Sequence, residues 1–263
     1  MTLNLFSPEH ADYERRRPVL RDGLAAVRPD LIALQETVWG EGYDQATDLL
    51  GPGYHLARHS RRSENGVGAV LASRWPIGAV SEIDLHVSSR VDLPWAAAVV
   101  AEIDAPIGPL FFVHHKPSYQ YGYALEREEQ AVLCARMVEE RFAGRRPHVI
   151  LAGDFDDTPD SASVRFWTGR QSLRGFSVAY RDAWEAVHPD DPGHTFTPEN
   201  PLVRTGEMPL EIGRRIDYVM VRCGTHGPTL EVAGCRRVFD EPVGGVWATD
   251  HFGVVADLVD PRG

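Results

Sequence analysis

Lysine is almost missing from this chain: of its 27 basic residues, only Lys116 is not an arginine. Acidic residues number 38, so the formal net charge is -11. That balance argues against a broad groove tracking a phosphate backbone, the main source of nucleic-acid affinity, although a local basic patch could survive within it. Cysteine is scarce as well. Cys134, Cys223 and Cys235 form no CxxC pair and leave an odd count, which argues against a disulfide framework or a cysteine zinc site and marks them as core fillers. No apolar run approaches the roughly 18 residues of a membrane span, and the start of the chain lacks a basic segment followed by an apolar block. A soluble, cytoplasmic protein is the expectation. Internal repeats, low-complexity tracts and dividing linkers are missing too, so residues 1–263, 43% of them hydrophobic, are expected to form a single domain.

Several segments carry a clear period. "LNLF" reads as a short strand, and Val19, Leu20, Leu24 and Val27 fall on a helical period that stops before Pro29. "LIAL", "YHLARH", "VGAVLAS", "AAAVVAEI" and "LFFVHH" are short β-rich runs separated by glycine and proline. The strongest helix spans "ALEREEQAVLCARMVEERF", with Leu125, Val132, Leu133, Ala135, Met137 and Val138 as its apolar positions. "HVILAG" is a buried strand, "SASVRFW" a short helix, and "IDYVMV", "EVAGCRRV" and "FGVVADL" are late strands. The stretch from Gly175 to Arg215 is weakly periodic and rich in proline and glycine, the kind of long loop that is more often functional than idle. Helices between early strands and crowded late strands predict two packed mixed sheets with helices outside.

Polar residues cluster at strand ends. Glu36 follows "LIALQ", Asp154 follows "VILAG", and His114 and His115 end "LFFV"; Asp217 opens "IDYVMV", and Asp250 and His251 precede "FGVVADL". If the last two strands run antiparallel to the others, all of these groups reach one rim. The block "GDFDD" concentrates charge that repels itself and loses hydration, a cost that a divalent cation would offset. Such a rim suits phosphoester hydrolysis. Glu36 and Asp250, with Asn4 as a neutral oxygen donor, can hold Mg2+, which Mn2+ can replace. Asp154 can orient or deprotonate the attacking water, and Asp156 positions that water or helps hold metal. His115 and His251 can donate to the charge of the pentacovalent state, with Asp217 fixing the tautomer of His251 and keeping it cationic. His114 points to the opposite face from His115 and is expected to be packed inside. Each residue also has a plainer reading: Glu36 as a loop acid, Asp157 or Asp160 as a helix cap, Lys116 as a solvated surface group.

These pieces, in this order, resemble the endonuclease/exonuclease/phosphatase superfamily along nearly the whole chain. "TLNLF" is similar to its opening strand, "PDLIALQE" to its metal-glutamate strand, and "GVGAVLASRWPI" to the strand leading into an Arg-x-Pro turn. "FVHHKP", "LAGDFDDTPDS", "RRIDYVMV" and "ATDHFGV" are similar to the phosphate-binding histidine segment, the GDFN-x-x-P block, the orienting-aspartate segment and the closing S-D-H block. The resemblance implies a four-layer α/β/β/α sandwich, with His115 as the phosphate-binding histidine and substrate contacts from Asn4, Arg74, Lys116 and Asn200. The chain departs from the pattern at Asp156, where the family usually has Asn. His115 stands where abasic-site endonucleases place a tyrosine, and only three residues precede Asn4, so either the first strand is truncated or the true start lies upstream of Met1.

The leading reading is a Mg2+-dependent phosphodiesterase or phosphatase using in-line attack of water on a small phosphorylated metabolite. A DNA or RNA nuclease is the rival within the enzyme class, followed by a lipid phosphodiesterase, which lacks an obvious membrane-docking segment. A catalytically weak phospho-ligand binding module is the reading of another class, disfavoured because Glu36, Asp154, Asp217 and Asp250 are all present. No protein partner is implied.

Overall fold

Strands buried on both faces are the main building material, and each such strand needs a partner layer above and below. The computed structural model, described for residues 1–142, 145 and 147–261, arranges them as follows. The first half of the chain gives β1 (Thr2–Asn4), α1 (Tyr13–Val27), β2 (Leu31–Gly40), β3 (Tyr43–Asp44), α2 (Gln45–Leu50), β4 (His55–Arg58), β5 (Val67–Ser73), β6 (Ile77–Asp84), β7 (Ala97–Ala105) and β8 (Gly108–Lys116). The second half gives α3 (Ala124–Arg141), β9 (His148–Asp154), α4 (Ala162–Trp167), β10 (Tyr180–Asp182), α5 (Ala183–Val187), α6 (Pro201–Thr205), β11 (Asp217–Gly224), β12 (Gly227–Pro228), β13 (Glu231–Val238) and β14 (Gly253–Val259). One sheet has the order β13-β14-β1-β2-β5-β4, with β3 beside β2; the other has the order β10-β11-β9-β8-β7-β6, with β12 beside β11.

The sheets pack face to face through Ala33 and Leu71 on one side and Ala101, Phe112, Ile150 and Val219 on the other. Outside the first sheet, Leu20 and Leu24 of α1 and Leu49 of α2 cover Leu3, Ile32, Leu34 and Val70. Outside the second, Ala131, Ala135 and Val138 of α3 and Val164 and Trp167 of α4 cover Phe111, Val113, Val149 and Leu151. This is the expected α/β/β/α sandwich. On α3 the inward stripe differs from the sequence reading: Leu125 and Met137 are exposed, whereas Glu126, Arg127 and Gln130 are buried through hydrogen bonds and ion pairs.

The stretch from Gly175 to Arg215 is less irregular than expected, holding β10, α5 and α6. Asp182 anchors its centre, accepting from the Trp184 backbone N–H at 2.9 Å as the cap of α5 and pairing with the Arg215 guanidinium at 2.5 Å. The edge strand β6 and the helix α2 are further elements without a legible sequence period.

Candidate active site

Strand direction brings the polar ends together. β1 and β2 run parallel, so Asn4 and Glu36 leave at one edge, and β14 runs antiparallel to β1, so Asp250 and His251 arrive at that edge from the other direction. In the second sheet β8 and β9 are parallel and β11 is antiparallel, with Asp217 directly across from Asp154. The two edges enclose a cleft of about 350 Å³ lined by Asn4, Glu36, Lys116, Asp154, Asp250 and His251 among others.

Glu36 reaches the cleft through a backbone irregularity. Ile32 and Leu34 of β2 face the outer helices, so strict alternation would send Glu36 the same way. A bulge between Gln35 and Thr37 interrupts the ladder to β5, and Glu36 adopts φ 58°, a left-handed conformation that costs energy in a non-glycine residue. Its two carboxylate oxygens accept from Asn4 Nδ2 at 3.0 Å and from the Ser7 backbone N–H at 3.2 Å. The Asn4 amide also donates to Asp154 Oδ2 at 3.1 Å and so ties the two sheets together. Its oxygen accepts from the Phe6 N–H at 2.9 Å, which fixes the amide's orientation.

Around Asp154 the charges alternate in sign. Lys116 Nζ donates to Asp154 Oδ2 at 2.8 Å and also to Asp156 Oδ2, while the Asp156 backbone N–H caps Asp154 Oδ1 at 3.1 Å. Two carboxylates facing each other across adjacent strands repel; between Asp154 and Asp217 the compensating charge comes from His251, whose Nδ1 lies 2.9 Å from Asp217 Oδ2. Burial opposes the imidazolium, yet Asp217 and Asp154 outweigh it and push its pKa up to about 10. Burial likewise opposes the Lys116 ammonium, and Asp154 and Asp156 again prevail, holding it charged. Burial alone would raise Asp154; Lys116, His251 and Asn4 instead hold it below the usual range, as an ionised carboxylate. One ammonium cannot balance two acids, so Asp156 is pushed up to about 7, first by burial and then by Asp154.

Asp154, Asp217 and His251 bring possible ligand atoms within 4.8 Å of one another, but His251 Nδ1 and Asp217 Oδ2 are already paired with each other at 2.9 Å. Glu36 and Asp250 fit a hard divalent cation better. Both offer only oxygen, and neither receives a bond from a lysine or arginine among the described residues. Asp250 is pushed up to about 6 by burial and, although His251 pulls the other way, by the charge of Glu36.

Four sequence expectations are corrected. His115 lies on the outward face of β8, edge-on to Phe155 and Trp167, and burial followed by Lys116 pushes it down to about 3, so it is a neutral core group. Lys116, one residue on, takes the cleft position and is 3% exposed, not solvated. Arg74 follows the end of β5 that pairs with the start of β2, the rim opposite Glu36, and there it binds Asp30 at 3.0 Å. Asn200 is fully buried: its amide donates to the Thr249 carbonyl at 2.8 Å and its oxygen caps α6 through the Leu202 N–H, so it braces the segment before Asp250 instead of meeting substrate. Asn4 presents N–H groups to the carboxylates, so it positions Glu36 and Asp154 instead of lending an oxygen. His114 is packed inside as expected, with Nε2 2.7 Å from Gln35 Nε2 and its ring edge-on to His59.

Sequence reading missed three supports. Arg16 of α1 is 2% exposed and donates to the carbonyls of Leu5, Phe6, Ser7, His10 and Ala248. Thr249 Oγ1 donates to the Asn4 carbonyl at 2.8 Å, and Thr195 Oγ1 accepts from the N–H groups of Ile216 and Asp217. All three are ordinary residues whose role depends on distant backbone, which leaves no local signal.

The sequence profile of the Endonuclease/Exonuclease/phosphatase family matches residues 1–251, a range that includes every cleft residue named above. The chain belongs to this family. Within the family, sphingomyelin phosphodiesterase 2 of Homo sapiens is 26% identical over 236 residues, 82% of this chain and 52% of that protein. The chain therefore spans about half the length of the curated relative it matches. Among solved structures, D. rerio TDP2 complexed with single strand DNA product superimposes with a TM-score of 0.76 at 18% identity, over 97% of this chain and 96% of that one. The human Nocturnin catalytic domain with bound sulfate anion gives 0.70 at 16% identity, over 98% and 91%. At such identities the structural likeness establishes the fold, and the phosphoesterase family follows from the profile match.

Proposed function

We propose that this chain is a divalent-metal-dependent phosphoester hydrolase, with Mg2+ as its ion and Mn2+ able to replace it, acting on a small phosphorylated metabolite. The observation that carries this reading is the convergence, at one cleft, of an acid pair, Glu36 and Asp250, that receives no lysine or arginine hydrogen bond among the described residues, with Lys116, Asp154 and His251, the last held by the buried Asp217. A cation bound by Glu36 and Asp250 would polarise a phosphoryl oxygen and stabilise the leaving oxygen. The chain's own groups supply the rest. Asp154, held ionised, orients water and takes its proton as the water oxygen closes on phosphorus and the opposite P–O bond breaks, the departing oxygen keeping the bonding pair. The charged His251 and Lys116 donate to phosphoryl oxygens as negative charge builds on them.

The cleft's modest volume, the net charge of -11 and the single lysine favour a small substrate over duplex nucleic acid. A lipid phosphodiester is the second reading. It is favoured by Leu210 and Ile212, 91% and 88% exposed in the segment that continues from the cleft residues Glu207 and Met208.

The test is an assay of the purified chain with Mg2+, Mn2+ or chelator on bis-p-nitrophenyl phosphate, p-nitrophenyl phosphate, plasmid and sphingomyelin vesicles, beside Asp154→Ala. Metal-dependent release from the nitrophenyl esters, lost in the variant, supports the reading. Plasmid nicking or vesicle hydrolysis as the dominant activity would replace the small-metabolite assignment, and hydrolysis persisting in the variant would remove the assigned site.

A further inference from the structure

The cleft carries its acids as two unlike sets. Glu36 and Asp250 receive no lysine or arginine hydrogen bond among the described residues, whereas Asp154 and Asp156 share the ammonium of Lys116. The chain spends its single lysine at this point. The side chain is almost wholly buried, with Nζ 5.9 Å from the centroid of the Trp95 ring, so its position is fixed by packing as well as by charge. Two of its three hydrogens go to the carboxylates, and the third is left for the cleft that Lys116 lines.

We propose that Lys116 is a built-in second cation: its ammonium fills the place between Asp154 and Asp156 that a two-ion site would give to its second metal, so the chain binds one divalent ion and not two. This rests on the metal-dependent reading above and deepens it. In two-metal phosphoester hydrolysis one ion steadies the attacking oxygen and the other the leaving oxygen. Here a fixed ammonium beside Asp154 does the neutralising on the water side and cannot be lost to a chelator. It also repels a second ion from the same carboxylates, whose lone pairs it already occupies.

The test is a Mn2+ titration of the full chain, counting bound ions by calorimetry and by the electron paramagnetic resonance signal of free Mn2+, for wild type and Lys116→Met. Wild type is expected to bind one ion. Lys116→Met is expected to gain a second, weaker one, with kcat lowered about 100-fold, as for loss of one charge-stabilising donor, and partly restored at high Mn2+. If Lys116→Met fails to fold because two buried acids lose their counter-charge, K116M/D156N, which removes one acid together with the ammonium, takes its place, with a second ion again expected but held more weakly by one carboxylate and a neutral amide oxygen. Two ions in wild type, or a single ion in both wild type and the folded variant, would overturn the assignment and leave the metal-dependent reading intact. No bound ion in wild type would remove that reading and this assignment with it.

Discussion

A one-residue step along β8 decides which group reaches the reaction. His115 and Lys116 are neighbours, yet one faces Trp167 in the outer layer and the other pairs with Asp154. The parity could not be read from "LFFVHHK" because β8 is apolar on both faces, Phe111 and Val113 facing the helices and Phe112 the other sheet, so no polar alternation marks the inner side. Asp154, Asp217, Asp250 and His251 were legible because each charge sits at a strand end or just before one, whereas Glu36, expected at the end of a strand, lies inside β2 at its bulge. His115→Phe should therefore keep kcat/KM near wild type once folded, whereas Asp154→Ala should lower it about 1,000-fold or more, both read by steady-state kinetics. The Asp217–His251 pair gives a pH signature. A histidine raised from 6.5 to about 10 in the folded state contributes stability that is complete below pH 6.5 and is lost as pH rises through 10. Urea midpoints of the metal-free protein should fall between pH 7.5 and 10, and the fall should be shallower in Asp217→Asn. Parallel profiles for the two proteins would contradict the pairing.

At the scale of elements, two small features hold the rims in place. Gly153 of β9 has no room for a side chain: a Cβ there would collide with the His115 carbonyl of the neighbouring strand. Gly153→Ala should cost about 3 kcal/mol in chemical denaturation, and because it would part β8 from β9 it should weaken the Lys116–Asp154 contact and activity with it. Arg16 joins α1 to the segment carrying Ser7, whose N–H holds Glu36, and to Ala248 ahead of Asp250. Arg16→Met leaves five carbonyls short of a donor and should destabilise the fold by about 3 kcal/mol or more, measured by urea unfolding. The long strands other than β6 and the helices α1 and α3 were legible from their periods. α5, α6 and β10 were not, because they are three to five residues long and depend on distant anchors such as Arg215 on Asp182 and Thr249 on Asn200.

For the whole molecule, a sheet built from both ends of the chain and a sheet built from its middle meet at a rim rich in negative charge, and a bound cation should steady both. At a hundred times its Kd a single ion adds about 2.7 kcal/mol, several degrees in Tm for a chain of this size. Mg2+ or Mn2+ should raise the Tm of wild type and leave that of Glu36→Gln unmoved. The most direct measurement is anomalous diffraction from crystals grown with Mn2+ and phosphate. The expected result is one strong peak coordinated by Glu36 and Asp250, with phosphate between it and Lys116. A peak elsewhere, with Glu36 and Asp250 free of metal in an enzyme that still hydrolyses phosphoesters, would contradict it.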